Sequence, residues 1–275
     1  MKSFFFPVYA GLLFVLLNGC AVKKTSNIDY QNERGINSET LNVFSPKATQ
    51  DDNLPVLIFV HGGYWNSGNK DTYGFFGRNF AKKGVVTVIP DYTLSPKANY
   101  DEMATQIAEV VRWTEANISH YKGDPKQIYV SGHSAGGHLV ALVATHPKYL
   151  KTNNTIAGVI LNDAAGLDMY GYLQKNPPTT EHNYISTWTK DPAVWKEASP
   201  IYFLSEATPP FKIYVGSKSY TSIIESNARF LKTIENFQPN ISFTTLTKKH
   251  VPMMTQFIFP WNKRYKEIIN FMEAQ

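Results

Sequence analysis

Apolar runs and segments of helical spacing take turns along the chain. Residues 54–60 (LPVLIFV) are continuously apolar and rich in branched side chains, the pattern of a strand covered on both faces. Residues 85–89 (VVTVI) repeat it and stop at Pro90, which cannot donate to a strand ladder. From 100 to 118 the period changes, and Met103, Ile107, Val110, Val111 and Thr114 fall on one helical face. Residues 127–130 read as a short strand and the stretch after Ser134 as a helix. Strands follow at 156–161, 211–215 and 241–246, with helices over 223–234 and 262–272. An earlier alternating segment, 41–44, meets a Ser45-Pro46 turn. Strands alternating with helices predict βαβ units, hence an α/β fold with a mostly parallel sheet and helices on both faces. Between Leu167 and Pro210 the pattern weakens into Pro, Trp and Tyr. This predicts a small cap insertion, about 167–210, over one end of the sheet. Its Tyr170, Tyr172, Trp188 and Trp195 either line a pocket or form the cap's own core.

Composition narrows the class. The chain has 275 residues, 43% hydrophobic and 18% charged, which is ordinary for a folded domain. A single cysteine excludes a disulfide framework and a multi-cysteine metal site. The net charge of +5 is scattered among acids, with no basic stripe for nucleic acid. The N-terminus is separate. Lys2 precedes an apolar run over 4–17, too short to span a bilayer as a helix and suited to a secretory signal. Its end, Leu17-Asn18-Gly19-Cys20, resembles the lipobox of bacterial lipoproteins. That resemblance implies a signal peptide at 1–19, a lipid on Cys20, and a protein anchored in the cell envelope. Ala21 in place of Asp points to the outer membrane. Residues 20–32 are polar and read as a tether, leaving 33–275 as the folded α/β domain with its cap insertion.

Two motifs carry candidate chemistry. Gly132-His133-Ser134-Ala135-Gly136 fits G-x-S-x-G between a predicted strand and a predicted helix. Small flanking residues permit a sharp turn that projects the serine oxygen, and the helix N-terminus behind it favours developing negative charge. His61-Gly62-Gly63-Tyr64-Trp65 directly follows the 54–60 strand, where glycines let backbone approach a ligand. Together the motifs resemble the HGG-type α/β-hydrolases, the branch of hormone-sensitive-lipase-like esterases and kynurenine formamidases. The resemblance covers about 40–275. It implies Ser134 as nucleophile and the N–H groups of Gly63, Tyr64 and Ala135 as an oxyanion hole. It also implies a base late in the chain. Of seven histidines only His250 follows the 241–246 strand. His61 is expected to support its loop, and His133 and His138 to pack. No cofactor is expected, and no metal-ligand cluster or phosphate-binding loop is visible.

The acid departs from the family pattern. Its usual place follows the 211–215 strand, where this chain reads Gly216-Ser217-Lys218-Ser219. Serine cannot stabilise an imidazolium as a carboxylate does. Asp163, one strand earlier in Asn162-Asp163-Ala164-Ala165-Gly166, resembles the Asp-x-Ala-Gly segment of pancreatic-type lipases and is the first candidate. Asp168 is the second, and Glu225 is expected on an exposed helix face. Ser219 itself is expected to take no part. Three functions stay open: a serine hydrolase of small or medium carboxylic esters, an aryl formamidase, and an inactive hydrolase fold used for binding.

Overall fold

The computed structural model describes residues 21–31, 39–47, 51–150 and 155–275. The signal segment and Cys20 lie outside them. The sheet is built from β1 (Val22–Asp29), β2 (Thr40–Pro46), β3 (Leu54–Val60), β4 (Val86–Pro90), β5 (Gly123–His133), β6 (Gly158–Asn162), β7 (Phe211–Gly216) and β8 (Ser242–Leu246). Their spatial order is β1-β2-β4-β3-β5-β6-β7-β8. β3 to β8 pair in parallel and β1 and β2 are antiparallel additions. The continuous apolar strands are the central ones: Val56 to Val60 and all of β4 and β6 are buried, as strands covered on both faces must be.

Helices cover both sides. On one side, α2 (Tyr100–Asn117) and α3 (Ala135–Thr145) join the core cluster around Ile107, Val111, Leu139 and Val159. On the other, α1 (Gly74–Ala81), α8 (His250–Thr255) and α9 (Lys263–Glu273) bury Phe76, Phe80, Met253, Phe257 and Tyr265 against Leu57, Phe59 and Tyr214. α2 starts at a capping box: Asn99 accepts from Glu102 N–H while Glu102 accepts from Asn99 N–H, satisfying otherwise orphaned donors. α7 (Thr221–Ile234) follows β7. Among the described residues no helix is long and apolar enough to cross a membrane.

Two expectations change. Residues 22–29, read as tether, form an edge strand pairing Val22 with Pro46 and Asp29 with Thr40. Its alternation is hidden because one face is open to solvent and a register shift between Thr25 and Ile28, with Asn27 at φ 57°, breaks the period of two. β2 runs antiparallel to β4 with Leu41 opposite Pro90 and Phe44 opposite Thr87. Val22 therefore lies level with the start of β4, at the edge where the parallel strands begin. The cap is more ordered than its pattern implied. It holds three short helices, α4 (Met169–Leu173), α5 (Tyr184–Trp188) and α6 (Pro192–Glu197). Trp188 and Trp195 are its buried core, each helix being too short to show a period.

Candidate active site

Ser134 sits between the last residue of β5 and the first of α3, at φ 54° and ψ −122°. Few non-glycine residues adopt this strained backbone, which recurs at functional turns. The neighbouring glycines explain how the turn closes. A Cβ on Gly136 would stand 2.1 Å from Val60 O, and one on Gly132 2.3 Å from Gly136 O. Ser134 O accepts from Ala165 N–H at 3.1 Å, tying the elbow to the segment after β6.

The loop after β3 presses on the same elbow. A Cβ on Gly62 would lie 2.8 Å from the Ser134 Cβ. Gly63, Tyr64 and Trp65 take φ 127°, 54° and 60°, and Gly63 O accepts from the N–H groups of Asn66 and Ser67 at 3.1 and 2.9 Å. His61 is buried between the rings of Tyr73 and Tyr92 and donates from Nδ1 to Gly62 O at 2.9 Å. His138 accepts from Trp65 Nε1 at 3.2 Å and donates from Nε2 to Ala198 O at 2.7 Å. It joins the glycine loop to the cap as a neutral imidazole, burial holding its pKa down to about 4. His61 supports its loop, as the sequence implied, whereas His138, expected only to pack, hydrogen-bonds both the loop and the cap.

The structure brings Asp163 and His250 together. His250 begins α8 directly after β8, and Asp163 follows β6 at φ 53°, a conformation aspartate tolerates better than most residues. Asp163 Oδ2 lies 2.6 Å from His250 Nδ1, so the imidazole donates there. Oδ1 accepts from Gly216 N–H at 2.8 Å. The carboxylate is fully buried, and charge-assisted hydrogen bonds are what make such burial tolerable. Asp168 is engaged elsewhere: Oδ1 caps α4 through Gly171 N–H at 2.8 Å, and Oδ2 accepts from Arg229 Nε at 2.7 Å. Glu225 is 3.8 Å from Arg229 on the exposed side of α7. Ser219, expected to stand apart, donates from Oγ to Asp163 Oδ2 at 2.5 Å. The departure from the family pattern at this position was the only signal for it.

His133 does more than pack. Its ring stacks on that of His250 at 4.5 Å and its Nε2–H donates to His250 O at 3.2 Å. Burial, then the neighbouring His250, push its pKa down to about 3, so it is a neutral wall behind the His250 ring. Ser134 and His250 open into one cavity of about 530 Å³, lined also by Tyr64, Met169, Tyr172, Tyr184 and Tyr220. Tyr64 stacks on His182 at 4.5 Å. A hydrogen bond with Tyr220, then partial burial, push the Tyr64 phenol up to about 12. The cap thus divides its aromatics, with Tyr172 lining the cavity while buried Trp188 packs on Trp65, Tyr100 and His138 and fixes the cap to the body.

A parallel sheet carrying a strained serine at a strand-to-helix elbow, with a glycine loop against it, makes this chain an α/β-hydrolase. It belongs to the BD-FAE family, whose family model matches residues 41–232. It is 27% identical over 231 residues to a kynurenine formamidase of Danio rerio, covering 80% of this chain and 73% of that protein. It is 27% identical over 210 residues to the esterase LipC of Mycobacterium tuberculosis, covering 72% of this chain and 52% of that one. The chain therefore spans about three quarters of the first relative and half of the second. A truncated carbohydrate esterase from gut microbiota superposes with a TM-score of 0.77 at 20% identity, over 92% of this chain and 95% of that one, a likeness of fold.

Proposed function

We propose that the protein is a serine hydrolase that cleaves carboxylic esters of small or medium size through an acyl-enzyme. The 2.6 Å contact between buried Asp163 and His250, which lines the same cavity as Ser134, carries this reading. In it, Ser134 Oγ attacks the ester carbonyl as its proton passes to His250 Nε2. Asp163 keeps the Nδ1–H tautomer and stabilises the imidazolium. The N–H groups of Ala135, Gly63 and Tyr64 receive the oxyanion. His250 then returns the proton to the leaving alkoxide, and water repeats the sequence to release the acid. The relatives' names support an ester bond. An aryl formamide is the second reading, favoured by the similarity to kynurenine formamidase and by the stacked Tyr64 and His182 at the mouth. The partnered acid argues against an inactive binding fold.

A panel of p-nitrophenyl esters run beside N-formylkynurenine separates the two activities by kcat/KM. A fluorophosphonate probe should label Ser134 and fail on Ser134→Ala, which should lose on the order of 10³-fold or more in kcat. Ester activity within tenfold of wild type in that variant refutes the nucleophile.

The reading includes a lipid anchor on Cys20 that holds the enzyme in the cell envelope, at the outer membrane. Its support is the order of residues at 2–20: a positive residue, a short apolar run and Leu-Asn-Gly-Cys.

A further inference from the structure

The turn after β7 touches both members of the acid–base pair. Ser219 N–H closes it on Gly216 O at 3.1 Å. Ser217 N–H donates to Leu246 O at 2.8 Å and Lys218 N–H to Lys248 O at 3.0 Å, so the turn is laced to the loop that delivers His250. Gly216 permits this approach, since a Cβ there would stand 2.6 Å from Lys248 O. The same turn reaches across to β6. Gly216 N–H holds one oxygen of Asp163 at 2.8 Å, and Ser219 Oγ–H holds the other at 2.5 Å. That second oxygen is the one 2.6 Å from His250 Nδ1.

We propose that Ser219 is a positioning residue, whose hydroxyl fixes the Asp163 carboxylate against His250. This rests on the roles proposed above for Asp163 and His250. Oδ1 takes Gly216 N–H, and Oδ2 takes two donors, the hydroxyl and the imidazole. Without the hydroxyl the only hold on Oδ2 is the imidazole itself, the group that the carboxylate has to place. The loss falls on kcat, because the imidazolium that Asp163 must hold exists only in the transition state.

The test is steady-state ester hydrolysis by the full chain, with thermal melts as a check on folding. Ser219→Ala should lower kcat by about 10- to 100-fold with KM within about twofold. Ser219→Thr, which keeps the hydroxyl, should exceed the nearly isosteric Ser219→Val by about tenfold or more in kcat, a comparison that survives if the alanine variant folds poorly. Ser219→Ala and Ser219→Val at wild-type kcat, beside an inactive Asp163→Asn, overturn the positioning role. An Asp163→Asn enzyme that keeps wild-type kcat overturns the acid assignment itself and everything built on it.

Discussion

Acidification should destabilise this protein well above the pH at which carboxylates titrate. His133 and His138 are buried as neutral rings, with pKa values held to about 3 and about 4 by burial. In the unfolded chain both return to about 6.5. The unfolded state therefore binds more protons below pH 6.5, and stability is complete above that value and lost as pH falls toward the folded pKa values. Each pH unit is worth about 1.4 kcal/mol per histidine. Between pH 6.5 and 5 the pair removes at most about 4 kcal/mol, a large part of the roughly 5–15 kcal/mol that holds a domain together. His61, also lowered by burial, adds in the same direction. Urea denaturation at pH 7.5, 6 and 5 reads the effect as a falling midpoint. His138→Gln gives a sharper comparison: it cannot titrate, so its stability should fall less steeply than wild type by up to about 2 kcal/mol over the window. A wild-type midpoint unchanged from pH 7.5 to 5, or identical slopes for the two proteins, would refute the argument.

Asp163→Asn should lower kcat for ester hydrolysis by about 10⁴-fold with little change in KM. With its amide oxygen turned to Gly216 N–H, its NH₂ group faces His250 Nδ1 and forces the wrong tautomer. Asp168→Asn should cost far less activity and show mainly as a lower melting temperature, and the reverse ranking would mean that the acid is misplaced. Gly136→Ala should destabilise by more than about 3 kcal/mol or prevent folding, because its Cβ meets backbone at 2.1 Å. Gly84→Ala, at φ 86° with open space around it, should cost only about 1 kcal/mol; equal melting temperatures for the two would contradict the packing described. Cys20→Ser should abolish a lipid mass increment and membrane recovery, and a wild-type chain found wholly soluble without that increment would remove the anchor.

Much of the site was legible because its parts are local. The elbow and the glycine loop are continuous in sequence, and both need residue types that few other structures require. His250 could be found because family order left one histidine in the right place. The Asp163 assignment needed more, since Asp163 and Ser219 are distant in sequence and meet only where two adjacent strands end on the same edge. Position 219 was read as a missing acid, and a serine's hydroxyl carries no pattern that announces its partner. β1 stayed hidden for a different reason. Its polar residues face water, its pairing supplies its order, and a bulge erases the alternation.

That strand has a consequence for orientation. Ser134, Asp163 and His250 stand where the parallel strands end, and Val22 stands at the opposite edge, where they begin. Cys20 precedes Val22 by two residues, a span of about 7 Å at full extension. Acylated at that thiol, the protein would have almost no leash. Its lower rim would rest close to the headgroups and its mouth would open away from the bilayer. Such an enzyme would not graze the lipids that hold it. It would be a fixed station, meeting esters that arrive from the aqueous side.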